Sequence, residues 1–164
     1  MEPITFVVGE SKSGAYETVY RQIDALLSGE SDAIANLANS ASVLKYSLNY
    51  VSWVGFYLLR GEELVLGPFQ GKPACVRIRL GNGVCGSAAT SRRTILVPDV
   101  EKFPGHIVCD PDSRSEIVVP IISNDVVRGV LDLDSSSVNA FDSVDQSNLE
   151  RIAAMISRKV FSAR

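Results

Sequence analysis

Three cysteines, Cys75, Cys85 and Cys109, are the residues of this 164-residue chain best suited to covalent chemistry. Cys109 lies in HIVCDPDSRSE (106–116), where Asp110, Asp112 and Glu116 follow it closely. Carboxylates destabilise a thiolate, so a plain sulfur nucleophile gains nothing from such neighbours. They become useful where the reaction also needs a proton, because a carboxyl group whose pKa is raised by burial or mutual repulsion can act as a general acid. A second pair of acids, Asp132 and Asp134 in GVLDLDS, stands two residues apart on what reads as a strand. That spacing puts both on one face, ~7 Å apart, with Leu131 and Leu133 turned to the core. An ordinary solvated strand face would carry the same pattern. Trp53 and Tyr57 share one face of VSWVGFYLL (51–59), as core aromatics or as pocket walls, opposite Val54, Phe56 and Leu58.

The other two cysteines differ in setting. Cys85 follows two glycines in GNGVCGSAATSRR (81–93), which reads as a tight turn entering a short helix. A helix N-terminus lowers a thiol pKa, which makes Cys85 the more reactive of the two. The same turn offers backbone N–H groups suited to a carboxylate. Cys75 opens the short strand CVRIRL (75–80), where a buried inert cysteine is the usual occupant. His106 completes a Cys₃His inventory that zinc would accept, but the close C-x₂-C pairs of zinc motifs are missing. We expect no metal and no cofactor.

These residues need a framework to hold them. Tyr16, Val19, Tyr20, Ile23, Leu26 and Leu27 recur at helical spacing up to Gly29. A second helix is expected from Asp32 to about Leu48, with Ile34, Leu37, Ala38, Ala41, Leu44 and Leu48 on its apolar face. Strands follow at 51–59, in ELVLG after a Gly61-Glu62 turn, at 75–80 and at TILVPD (94–99). IVVPII and VVRGVLDLD flank Ser123-Asn124-Asp125, a hairpin turn. A last helix is capped by Asp142 with Asp145 three residues on, and carries the stripe Leu149, Ile152, Ala153, Ile156 and Val160. The expectation is a single α+β domain over 1–164. N-terminal helices (1–49) are followed by a central, largely antiparallel sheet with its loops and a C-terminal helix (50–164). A two-residue turn at Asn124-Asp125, carried back along the hairpin, pairs Glu116 with Leu133 and turns it away from the two aspartates. Only a bulge, or a strand beginning after Glu116, would bring it to them.

With 46% hydrophobic and 21% charged residues the chain can bury a sizeable core. A net charge of −3 gives no footprint for nucleic acid or an anionic membrane. No stretch approaches the ~18 apolar residues of a membrane span, and no secretory pattern is seen at the N-terminus. An odd number of cysteines does not suit a secreted disulfide framework. A cytoplasmic protein is expected.

From Trp53 to Asp134 the sequence resembles a GAF domain, and more specifically the free methionine-(R)-sulfoxide reductases. The pieces that carry the resemblance are WVGFY, GPFQGKPACVRI, GNGVCGSAA, FPGHIVCDPDSRSEIVVPI and GVLDLDS, with cysteines spaced 10 and 24 residues apart. The resemblance implies an oxidoreductase that converts free L-methionine-(R)-S-oxide to methionine. Cys109 would attack the sulfoxide sulfur and become a sulfenic acid, and an acid would protonate the departing oxygen. Either Cys85 or Cys75 would resolve the sulfenic acid to a disulfide, and thioredoxin or a similar dithiol reductant would reopen it. On the functional reading Asp132 and Asp134 belong to an acidic pocket floor that holds the substrate ammonium, and the resemblance implies that Glu116 joins them. Trp53 and Tyr57 would wall the pocket and pack on the S-methyl group. A homodimer is compatible with it. A GAF domain that senses a small molecule without turnover is the competing reading.

Overall fold

The computed structural model describes residues 11–162; both ends of the expected domain, 1–10 and 163–164, lie outside the described residues. α1 (Lys12–Leu27) and α2 (Ala33–Ser47) are capped by the side chains of Ser11 and Asp32. Six strands form one sheet: β1 (Trp53–Arg60), β2 (Glu63–Gln70), β3 (Arg77–Arg79), β4 (Ile95–Val97), β5 (Ser115–Ser123) and β6 (Val126–Ser135). Their order is β3-β2-β1-β6-β5-β4, and every pairing is antiparallel. α3 (Gly83–Ser91) lies between β3 and β4, and α4 (Ser143–Ile156) closes the chain before a π-helical turn, Ser157–Phe161, that takes in Val160. This is the α+β architecture expected, in one domain.

The sheet divides the interior into two layers. Val54, Phe56, Leu58, Ile117, Val119, Ile121, Leu131 and Leu133 pack with the apolar faces of α1, α2 and α4. The alternate residues Trp53, Tyr57, Val118 and Val130 face the other side, against Val84, Cys85, Ala88 and Ala89 of α3. The first layer is the larger core; the second supports the site. α2 is rotated from its expected face: Ile34 is exposed, while Asn36 and Ser40 point inward. Asn36 donates to the Glu30 carbonyl and the Ser40 hydroxyl to the Asn36 carbonyl, which is what lets these polar groups be buried.

Two departures from the expected elements bear on the site. β3 is only three residues long, so Cys75 precedes it in an irregular segment and is not a strand residue. In the β5–β6 hairpin the turn is as expected: Asn124 and Asp125 both take positive φ (51° and 60°), the two-residue geometry that suits strand twist. Ser123 faces Val126 and Ile122 faces Val127, but Ile121 faces Gly129. Arg128 is therefore the extra residue of a β-bulge, and beyond it the register is shifted by one.

Candidate active site

The bulge decides where Glu116 points. With the register shifted, Glu116 lies opposite Asp134, and Val118 opposite Asp132. On the other side of β6, Asp134 faces Trp53 and Asp132 faces Gly55. Glu116, Asp132, Asp134, Trp53 and Tyr57 thus share one face of three adjacent strands. They line a single cavity together with Gly83, Val84 and Cys85 from α3 and His106, Ile107, Cys109 and Ser113 from the loop before β5. Of the candidate site residues read from the sequence, Cys75 and Asp112 do not line this cavity, and Cys75 is tied to it covalently.

Cys75 and Cys109 are joined in a disulfide, with Cα atoms 5.3 Å apart. Cys85 is the free cysteine among the described residues, and it is buried. It occupies the first turn of α3 as expected, but not as a reactive thiol. Burial pushes its pKa well up, and the nearby Asp132 and Glu116 push it further. The Cys85 thiol donates to Asp132 Oδ2 at 3.2 Å. The expectation that the helix N-terminus would activate Cys85 is corrected: desolvation and two acids outweigh the partial charge of a helix end.

The acids form a crowded group. Glu116 and Asp132 are both buried, and burial together with neighbouring carboxylates holds both pKa values well above the carboxylate range. Asp134 is pushed up to about 6 by burial, against the lowering effects of the Ser113 hydroxyl and of His106. Ser113 donates to Asp134 Oδ1 at 2.5 Å, and His106 Nε2 lies 3.6 Å from Glu116 Oε2. Asp132 Oδ1 has no hydrogen-bond partner among the described residues. Cys85, Glu116 and Asp132 each bring a ligand atom within 4.8 Å of the others, a cluster different from the Cys₃His set considered above.

The aromatic wall is rigidly held. Trp53 stacks between Tyr57 and Phe69, with ring centroids 6.1 Å and 5.5 Å away. Its indole N–H donates to the Lys72 carbonyl, and the Tyr57 hydroxyl donates to the Cys75 carbonyl. A Cβ on Gly55 would sit 2.4 Å from the Trp53 ring, so the strand must be glycine there for the indole to lie flat over it. Both hydrogen bonds end on the segment that carries Cys75, so the wall and the disulfide position one another.

Of the acids in the Cys109 loop, Asp110 lines the cavity and Asp112 is outside it; Lys72 pairs with both. Asn82 gives α3 no side-chain cap, and Gly83, Val84 and Cys85 open the helix with N–H groups that have no intrahelical acceptor. Within the glycine turn, Gly81, Asn82 and Gly86 already donate to backbone carbonyls. Sequence reasoning missed Ser113 and Lys72. Both lie in irregular segments, where no periodicity reports what a side chain faces.

A GAF domain model matches residues 24–160. "GAF domain-containing protein A" of Dictyostelium discoideum is 52% identical over 89% of this chain and 92% of its own. The free methionine-R-sulfoxide reductase of Escherichia coli is 43% identical, covering 90% of each chain. The X-ray structure of free methionine-R-sulfoxide reductase from Neisseria meningitidis in complex with its substrate superposes with a TM-score of 0.93 at 43% identity, over 97% of this chain and 95% of that one. With the fold matched over nearly its whole length and relatives at 43–52% identity, this chain belongs to the GAF family, among the free methionine-R-sulfoxide reductases.

Proposed function

We propose that the chain reduces free methionine-(R)-sulfoxide to methionine through a cycle of Cys109 and Cys75. The observation that carries the reading is the joining of these two cysteines beside a cavity floored by three acids. The Cys109 thiolate attacks the sulfoxide sulfur, and a carboxyl proton goes to the oxygen. The oxygen passes to Cys109 as a sulfenic acid, and methionine leaves with the electron pair. The Cys75 sulfur then attacks the sulfenic sulfur, forming the disulfide and releasing water. A dithiol such as thioredoxin reopens the bridge.

The acids divide the work according to their environments. Asp132 and Glu116, both shifted well upward by burial and neighbouring carboxylates, hold a proton more readily than Asp134 and supply it to the oxygen. Asp134, at about 6, is mostly ionised and holds the substrate ammonium. The open first turn of α3 meets the carboxylate, and Trp53 lies against the S-methyl group, where a sulfur–aromatic contact is favourable. Cys85 stays a thiol and fills the floor.

This pocket needs both charges of a free amino acid. Losing one partner of a buried charge pair costs roughly 3–5 kcal/mol, and each ~1.4 kcal/mol is a factor of ten in rate. N-acetyl-methionine-(R)-sulfoxide should therefore be reduced with kcat/KM lower by roughly 10² to 10⁴ than the free sulfoxide, with dithiothreitol as reductant in both assays. Equal rates would show that the acids are not an ammonium site. No methionine release from either substrate would favour the sensor reading.

A further inference from the structure

The residues beside the two bridged cysteines are among the most exposed large apolar side chains of the described residues. Val76, next to Cys75, and Val108, next to Cys109, are 64% and 66% exposed. Most other apolar side chains of the described residues are packed into one of the two core layers. Both half-cystines are themselves partly exposed. Given the 5.3 Å between the cysteine Cα atoms and ~3.8 Å per residue along the chain, the two valines lie within about 13 Å of one another. Neither lines the cavity. Folding gives them no reason to be apolar, and substrate binding does not use them.

We infer that Val76 and Val108 form an apolar rim on which a dithiol protein docks to reopen the Cys75–Cys109 bridge. The inference rests on the reductase reading, since only a cycling enzyme needs its disulfide reopened. The disulfide fixes the chemistry of the partner: it must bring a thiolate to one of the two sulfurs. One partner thiolate attacks, forming a mixed disulfide and releasing one cysteine of the bridge. The partner's second thiol then attacks the mixed disulfide and frees the other cysteine, so two electrons and two protons pass from dithiol to enzyme. A patch of this width suits a brief redox encounter, which sits at the small end of protein interfaces. The rim favours a protein with apolar surface around its thiols over a small charged thiol such as glutathione. Lys72, three residues before Cys75, is already paired with Asp110 and Asp112, so it is not free to meet an anion.

The test follows opening of the bridge itself, without sulfoxide. Oxidised wild type and a Val76→Glu/Val108→Glu variant are mixed with reduced thioredoxin, and separately with dithiothreitol. Thiol release is followed in time. The variant should lose about tenfold or more in the second-order rate with thioredoxin, as expected for removing a central apolar contact. Its rate with dithiothreitol should stay within about twofold of wild type, since a small reagent does not use the rim. An unchanged thioredoxin rate would overturn the inference, and so would an equal loss with both reductants. A chain that fails to release methionine yet shows the selective loss would retain the rim and remove the reductase reading.

Discussion

Asp134 and Asp132 are alternate residues of one strand, yet the fold treats them differently. Asp134 accepts the Ser113 hydroxyl and feels His106, which brings its pKa only to about 6; Asp132, more deeply buried, has a thiol donor and an Oδ1 with no partner among the described residues. If Asp134 must be ionised to hold the ammonium, kcat/KM for the free sulfoxide should rise with pH through about 6. A pH–rate profile of Asp134→Asn should lack that limb. Stability runs the opposite way. The folded pKa of about 6 exceeds the ~3.9 of an unfolded aspartate, so the fold binds the extra proton between those values. The contribution is full below ~4 and is lost as pH rises through about 6. Asp134→Asn should therefore flatten the decline of Tm across this window, and thermal melts from pH 4 to 7 check it. A wild-type Tm that climbs with pH over the same range through this residue would contradict the shift.

At the scale of elements, much of the site was legible because strands alternate. Trp53 with Tyr57, and Asp132 with Asp134, share a face by simple periodicity, and the structure keeps them there. Glu116 was not legible from period alone. Nothing in VVRGV marks Arg128 as an extra residue, and only the observed pairing shows the register shift that turns Glu116 to the acids. Cys75 was misplaced for a related reason: CVRIRL alternates like a strand, but only Arg77–Arg79 pair with β2. The thiol chemistry of Cys85 was misjudged because burial is a tertiary property that local helix geometry does not report. The packing of Trp53 over Gly55 gives the prediction at this scale. Gly55→Ala places a methyl where the indole and the Phe69 Cβ already lie, at 2.4 Å and 2.5 Å. Overpacking of this kind costs roughly 1–3 kcal/mol. It should also tilt Trp53 out of the pocket, so KM for the sulfoxide should rise in the same variant. A variant with wild-type stability and KM would show that the indole can yield.

Across the whole molecule, the helical layer is fastened by a buried acid far from the cavity. Asp145 accepts from the Tyr16 and Tyr50 hydroxyls at 2.8 Å and 2.5 Å and from Lys12 at 2.5 Å. It also accepts from the Asp142 backbone in the capping box of α4. One carboxylate thus ties α1, the segment before β1 and α4 together. The capping box was readable in the sequence; the two tyrosines and Lys12 were not, because their contacts span more than 90 residues of chain. Asp145→Ala should destabilise the fold by about 3 kcal/mol, the low end for breaking a buried pair, because Lys12 keeps some access to water. Differential scanning calorimetry should show Tm lower by roughly 6–12 °C, with activity of the folded fraction unchanged. Loss of activity without loss of stability would mean that the two layers are coupled through the sheet.

The proposed cycle spends the Cys109 and Cys75 thiols on one sulfoxide and leaves Cys85 untouched. A single-turnover experiment tests it most directly. Fully reduced protein is mixed with one equivalent of free methionine-(R)-sulfoxide and no reductant, then unfolded in an alkylating agent. Methionine is counted, and the alkylated and bridged cysteines are mapped by mass spectrometry. The expected result is about one methionine per chain, a Cys75–Cys109 bridge and an alkylated Cys85, with no methionine from Cys109→Ser. A product bridge that includes Cys85, or methionine released while all three thiols remain free, would contradict it.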